Sequence, residues 1–303
     1  MSETTTIAWP KKTQEMGHPL MDSTRWNDFE FRDDDIVIAT WAKSGTTWLQ
    51  QIVAQLIFEG VEDVAVVDIA PWLDFCLVPE EETLAMLDAQ THRRFIKTHL
   101  PVESLVFSPK AKYLYIARDG RDAIWSAHNH MVNLTPEVID QLSALAGWEE
   151  YSGGPPSADI RQYFHDLLDQ DWHPWWPFWS HIQSWWDIRD LPNVLLLHFG
   201  NLKTDMPGEM RRIASFLDIE VDEALWPVLV EHCTFDYMKE HATVIVAKLA
   251  DIFVGGGNTL IHKGTNGRWR DTLTPEDIEK YERLASENLT PDCARWLATG
   301  ELP

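Results

Sequence analysis

Three short segments of this chain carry the side chains best suited to chemistry. The first is Thr40-Trp41-Ala42-Lys43-Ser44-Gly45-Thr46-Thr47-Trp48. Gly45 permits close backbone approach, and an apolar-periodic helix starts just after it, so the first N–H groups of that helix have no partner within it. At the positive helix end they form a cradle for an anion. Lys43 adds a full charge, while Ser44, Thr46 and Thr47 add hydroxyl donors, a set that suits a diphosphate or a phosphosulfate. The plainer alternative is a strand-to-helix turn capped by Ser or Thr. A Walker A loop is excluded, because the Lys precedes the Gly and no earlier Gly lies in the loop. The second segment is Lys97-Thr98-His99-Leu100-Pro101. An ordinary His titrates near neutrality and suits taking a proton from a hydroxyl. Lys97 lies on the same face of an extended chain, placed either to hold a transferring oxyanion or to pair with an acid. The third runs from Arg118 to Ser126, an Arg at a strand end and a Ser two helical turns on. An Arg fork suits a phosphate; the alternative is an ion pair of Arg118 with Asp119 or Asp122. Arg121 reads as a solvated helix charge. His128 and His130, at i and i+2, diverge on a helix, so no metal pair is expected there, though the helix end leaves room for one of them near an acceptor.

These segments need elements to hold them. Ile36–Thr40, Arg94–Lys97, Tyr113–Ala117 and Val194–His198 are short apolar runs of strand type, and residues 48–57, 119–130 and 206–217 have helical spacing. Strands alternating with helices predict an α/β fold with three α/β/α layers and a central parallel sheet. Such sheets bind ligands beyond the carboxyl ends of the strands. Residues 41–47, 98–101, Arg118 and residues 199–201 are therefore expected on one rim. Residues 1–30 read as an irregular lead-in, and residues 133–178, with Gly153-Gly154-Pro155-Pro156, Pro174 and Pro177, as an insertion or lid. Residues 250–272 carry Gly255-Gly256-Gly257, Gly264 and Gly267 without apolar period, the mark of a functional or mobile loop. No linker divides the chain, so residues 1–303 are expected to form a single domain.

Composition narrows the partners. Lys and Arg total 25 against 48 Asp and Glu, a net charge of −23. That argues against coating nucleic acid and against docking on an anionic membrane. Positive charge for an anionic ligand must therefore be concentrated locally. Three widely spaced cysteines, Cys76, Cys233 and Cys293, suit neither a disulfide framework nor a zinc site. The start Met1-Ser2-Glu3-Thr4-Thr5-Thr6 is polar, and no apolar run reaches membrane-spanning length, so a cytoplasmic protein is expected. Tryptophan is abundant, with 16 residues crowded most densely between Trp172 and Trp186.

Lys43-Ser44-Gly45-Thr46-Thr47-Trp48 after a strand resembles the 5′-phosphosulfate loop of the cytosolic sulfotransferase family, which uses 3′-phosphoadenosine 5′-phosphosulfate (PAPS). Four further segments agree in the family's order. Residues 95–101 are similar to its strand and catalytic-histidine loop, and residues 115–126 to its 3′-phosphate motif. Residues 179–186 resemble a core helix, and residues 262–270 its late Gly-rich segment. The resemblance implies a P-loop-like fold and direct, in-line transfer of a sulfuryl group to a hydroxyl or amine, leaving adenosine 3′,5′-bisphosphate (PAP), with no metal. It implies His99 as base and Lys43 with Lys97 offsetting charge on the leaving and transferring oxygens. It assigns Arg118 and Ser126 to the 3′-phosphate, and Trp48 and Phe235, the latter in Thr234-Phe235-Asp236-Tyr237-Met238, to the adenine. His262, Lys263 and Gly264 stand where the family has Arg-Lys-Gly, so one permanent charge is missing, with Arg268 or Arg270 as substitutes. Phe199 stands in place of a Tyr. The family's dimer motif is altered at residues 270–279, where Arg replaces Lys and Pro275 replaces Val, so a homodimer stays an open option.

Trp175, Trp176 and Trp179, with Trp72, Phe75 and Phe107, are candidates for an apolar pocket that takes a small hydroxylated acceptor; hydrophobic packing is the alternative for each. Two other function classes share the same features. A P-loop kinase or NTPase predicts magnesium-dependent phosphoryl transfer, and a binding protein without turnover predicts indifference to His99.

Overall fold

The computed structural model describes residues 7–303; the polar start of the chain, residues 1–6, lies outside the described residues. Four strands, β1 (Ile36–Ala39), β2 (Phe95–Thr98), β3 (Lys112–Ala117) and β4 (Val194–His198), form one sheet in the order β2-β1-β3-β4. All three pairings are parallel, with Ile36 opposite Phe95 and Lys112, and Ala117 opposite His198. The strand runs are short and almost uniformly apolar because both faces are covered. Val37, Ala39, Ile96, Tyr113 and Tyr115 point into one core, while Ile36, Ile38, Phe95, Leu114 and Ile116 point into the other.

The principal helices are α1 (Thr46–Ile57), α2 (Gly120–Val132), α3 (Pro136–Ser143), α4 (Ile160–Asp169), α5 (Phe178–Asp187), α6 (Met206–Phe216), α7 (Trp226–His232), α8 (Phe235–Glu240), α9 (Pro275–Asn288) and α10 (Pro291–Thr299). Helices α1, α6 and α7 bury their apolar sides against the core of Ile36 and Ile38. Helices α2, α4, α5, α9 and α10 cover the other face, so the molecule is a three-layer α/β/α fold of P-loop type. A Thr274–Asp277 capping box with Pro275 in the first turn starts α9.

Three segments are more ordered than the sequence suggests. Residues 133–178 hold α3, α4 and a helical turn at Trp148–Ser152. Residues 250–272 contain helical turns at Gly257–Leu260 and Arg268–Asp271, and the lead-in holds a small hairpin pairing Gly17–His18 with Met21–Asp22. Much of the tryptophan is core. Trp172 stacks on Phe178 with centroids 3.9 Å apart, and the Trp41 indole donates to the Trp176 carbonyl at 3.0 Å. Among the described residues no helix is long and apolar enough to cross a membrane.

Candidate active site

The order β2-β1-β3-β4 places the crossovers from β1 and β3 on opposite sides, so the loops after these two strands open a crevice between them. The loop after β1 turns back through two left-handed residues, Lys43 (φ 65°) and Gly45 (φ 116°). A Cβ on Gly45 would lie 2.9 Å from the Phe199 ring and 3.0 Å from Ile116, so only glycine fits that turn. Lys43 is a bulky residue held in a sparsely populated region, a form of strain that surrounding packing must sustain. Gly45 is the N-cap of α1, and no side chain caps that helix end. The Ser44 hydroxyl is buried without a hydrogen-bond partner among the described residues. The capped-turn alternative is therefore not what the chain builds; donors are left open at a positive helix end.

A cavity of about 890 Å³ lies over this loop. Lys43, Gly45, Thr46, Thr47, Trp48, Lys97, His99, Arg118, Ser126, Phe235, His262, Lys263 and Gly264 all line it, as do Trp72, Phe75, Trp175 and Trp176. Ser44 lies beneath the surface of the loop. Phe107 and Trp179 are not on the cavity wall. Phe107 stacks on Tyr113 at 4.1 Å and Trp179 packs between Trp172 and Tyr281, so for these two the structure gives core packing.

Three cations and a neutral imidazole meet here. His99, at the end of β2, is buried, and its Nδ1 lies 2.7 Å from the Thr40 carbonyl. A carbonyl can only accept, so Nδ1 carries the proton and Nε2 keeps its lone pair. Burial holds this imidazole well below its ordinary pKa; the Lys97 charge adds to the effect and the Thr40 carbonyl opposes it. His181 Nε2 donates to the His99 carbonyl at 3.1 Å, and the Tyr115 hydroxyl in turn donates to His181 Nδ1 at 3.1 Å, which fixes the backbone beneath the ring. Burial pushes Lys43 down to about 7, helped by the like charges of Lys97 and Arg118. Burial also lowers Lys97 to about 8, against the pull of Asp74.

Arg118 makes no ion pair with Asp119 or Asp122. Its guanidinium lies over the Phe199 ring at 4.2 Å and donates to the Thr265 carbonyl at 2.9 Å and to Asn266 Oδ1 at 3.0 Å, tying the Gly-rich segment to the end of β3. Burial lowers its pKa to about 10. Arg121 corrects the sequence reading. It is not solvated but buried, held by Asp119 at 2.7 Å with its guanidinium 4.0 Å from the Trp269 centroid. Arg268 lines the cavity, whereas Arg270 rests on Trp269 away from it. Gly264 (φ 59°) lets the segment close on Phe235; a Cβ there would be 2.6 Å from that ring.

Sequence reasoning missed Asp74, His181 and the Thr265–Asn266 anchor, all brought in from distant segments. It left His130 open. The structure puts His130 on the cavity wall, its Nδ1 accepting from Lys43 Nζ at 3.1 Å, while His128 turns away to the Ser157 carbonyl.

Comparisons with known proteins identify the family and the fold. The sulfotransferase domain model matches residues 33–291. The chain is 30% identical to a glycolipid sulfotransferase of Mycobacterium bovis BCG over 93% of each chain. It is 28% identical to sulfotransferase 1B1 of mouse, over 88% of this chain and 86% of that one. In fold it is similar to mouse sulfotransferase SULT7A1 complexed with PAP, with a TM-score of 0.69, 23% identity and coverage of 91% and 92%. It is also similar to retinol dehydratase in a complex with retinol and PAP, with a TM-score of 0.69, 24% identity and coverage of 89% and 87%. The chain belongs to the sulfotransferase family.

Proposed function

We propose that this chain moves a sulfuryl group from PAPS to a hydroxyl, or an amine, of a small and mainly apolar or aromatic acceptor. The observation that carries the reading is the convergence of Lys43, Lys97, Arg118 and neutral His99 on one cavity at the uncapped start of α1. The donor set fits the co-substrate. The orphan Ser44 hydroxyl, the open first turn and Lys43 suit a phosphosulfate. Arg118, Ser126, Lys263 and Arg268 suit a second phosphate, with Arg268 supplying the charge that His262 lacks. The rings of Trp48 and Phe235 offer flat faces to an adenine. PAP is the nucleotide named for both fold neighbours.

The residues divide the transfer among themselves. His99 Nε2 takes the acceptor's proton as the new oxygen–sulfur bond forms. Lys43 offsets the charge that develops on the phosphate oxygen as its bond to sulfur breaks, and Lys97 offsets charge on the transferring group. PAP and the sulfated acceptor leave. Every positive charge in this scheme comes from side chains and a helix end.

The rest of the wall argues the acceptor class. Leu20, Phe75, Met131, Leu142, Trp148 and Trp176 present apolar surface with few polar groups among them. Such a wall selects by shape and apolar burial, with the reactive hydroxyl as the main polar feature. Retinol, named for one of the proteins above, is a molecule of that kind, and a glycolipid, named for another, joins apolar chains to a polyhydroxylated sugar head.

The test is a mass-spectrometric screen of apolar alcohols, phenols and amines with PAPS. We expect an acceptor to gain one sulfonate while PAP accumulates. Transfer that runs on ATP and stops with a chelator, or tight binding of apolar ligands with no product, would overturn the reading.

A further inference from the structure

Asp74 is fully buried and sits on the segment that follows Trp72. A buried carboxylate is costly unless it is bonded, and Asp74 accepts from two indoles, Trp26 Nε1 at 3.0 Å and Trp72 Nε1 at 2.6 Å. The Trp72 backbone is fixed as well. It bridges Lys97 in parallel, with the Lys97 N–H donating to the Pro71 carbonyl at 2.9 Å and the Leu73 N–H to the Lys97 carbonyl at 3.3 Å. An indole held at both its N–H and its backbone has little freedom left. Its ring centroid is 4.3 Å from Lys97 Nζ. The same indole meets the His99 ring at 4.7 Å and 88°, and Phe75 stacks on it at 4.6 Å. Among the described residues Lys97 Nζ has neither a hydrogen bond nor an ion pair, so this aromatic face is its specific contact.

We propose that Asp74 and Trp72 are positioning residues for Lys97: the Asp74 carboxylate locks the Trp72 indole, and the indole face holds the Lys97 ammonium beside His99. The proposal rests on the role given above to Lys97. Trp72 is thereby more than acceptor wall. A desolvated cation over an indole is attracted by the ring quadrupole, and this attraction favours the charged form of Lys97. Asp74 favours it too, while burial, Lys43 and the rings of His99 and His130 bear on the same group from the facing elements.

The test reads Lys97 directly. The full-length protein carrying ¹³Cε-labelled lysine is titrated by NMR without donor or acceptor, with Lys97→Met assigning the signal. Trp72→Leu is expected to lower the Lys97 pKa by about one unit, the size of a desolvated cation–π contact. Trp72→Phe, which keeps a ring but has no N–H for Asp74 to hold, is expected to restore only part of that shift, and it also controls for folding. In turnover, Trp72→Leu is expected to lower kcat about tenfold but to add nothing in the Lys97→Met background, since the two residues act as a unit. Asp74→Asn is expected to lower kcat with little change in the acceptor KM. A Lys97 signal unmoved or raised in Trp72→Leu, or losses that multiply with Lys97→Met, would overturn the proposal and leave Trp72 as acceptor wall. The titration needs no sulfuryl transfer. A shifted Lys97 in a protein without that activity supports the indole contact and sinks only the functional reading.

Discussion

The two walls of the cavity are assembled from different kinds of sequence. The cationic wall comes from positions at or just beyond the strand ends: Lys43 after β1, Lys97 and His99 at β2, and Arg118 after β3. The sheet fixes their spacing, because parallel pairing brings Ala39 beside Thr98 and Tyr115. The apolar wall is gathered from the lead-in at Leu20, the 72–86 segment, the end of α2, α3, the Trp148 turn and Phe253. None of these is one of the four strands, although Trp72 bridges the sheet edge at Lys97. The first wall is thus set by short-range sequence on a rigid frame, and the second by how flanking segments fold over that frame. A cationic wall built the first way and an apolar wall built the second can change independently except at Trp72, which meets Lys97 and His99.

Substitutions can test whether the walls are separable. The largest effect is expected from His99→Ala, a loss of about 100- to 10,000-fold in kcat, the range for a general base. Thermal stabilisation by PAP should persist, because the loop after β1 and Arg118 are untouched; a variant with full turnover would remove the base from the mechanism. Next comes Arg118→Ala. Its hydrogen bonds are charge-assisted, and losing them at a bound phosphate should weaken PAP binding about 10- to 100-fold by calorimetry. The acceptor KM should stay within a factor of about three on the same scale. Equal changes on both sides would mean that the walls are one unit.

The pH profile sharpens the same division. As the proposed base His99 must be neutral, and burial keeps its pKa well below the ordinary value, so the acid limb of kcat/KM should fall below pH 6.5. In the proposed transfer Lys43 and Lys97 act as cations, and burial lowers them to about 7 and about 8, so activity of the free enzyme should decline through that window as pH rises. A bound phosphosulfate favours the ammonium forms. The alkaline limb of kcat should therefore lie at higher pH than that of kcat/KM. Limbs at the same pH would separate these lysines from the donor. The linkage sign gives a companion effect. Because the folded pKa of Lys43 is depressed, the unfolded chain binds more protons between about pH 7 and the ordinary Lys value, so this group costs stability at neutral pH and the cost fades as pH rises. Lys43→Met should raise the melting temperature by about 2–4 °C while lowering kcat.

The same contrast explains what the sequence reveals. All four strands are legible to within a residue at each end, β1, β3 and β4 most plainly because burial of both faces makes each a short apolar run. The cationic wall is legible because Lys43, Lys97, His99 and Arg118 adjoin those runs. Helix α3 is not legible: it is amphipathic but only eight residues long, none of its residues is fully buried, and the nearby Gly and Pro dominate the reading. Arg121 was misread because its aromatic partners, Trp269 and Tyr281, lie far along the chain. Phe107 and Trp179 were misplaced for a related reason, since spacing says that a ring is buried but not which core receives it. Asp74 carries no local signal at all; only the fold brings it under two indoles.

The smallest expected effect falls on the wall that sequence reads least well. Leu142 is half-buried near the end of α3 and lines the cavity without touching Lys43, Lys97 or His99 in any hydrogen bond. Leu142→Ala removes apolar surface from the pocket, and such changes are worth about 1–3 kcal/mol of discrimination. Because α3 is a flanking segment that can settle inward, the low end applies, an increase of about 5- to 10-fold in the KM of a bulky acceptor. The KM for PAPS and the PAP melting shift should not change. A smaller acceptor should lose less than a bulky one, since it does not reach the α3 side. If instead Leu142→Ala moved the donor constants as far as the acceptor constants, α3 would be acting on the loop after β1, and the independence of the two walls would fail.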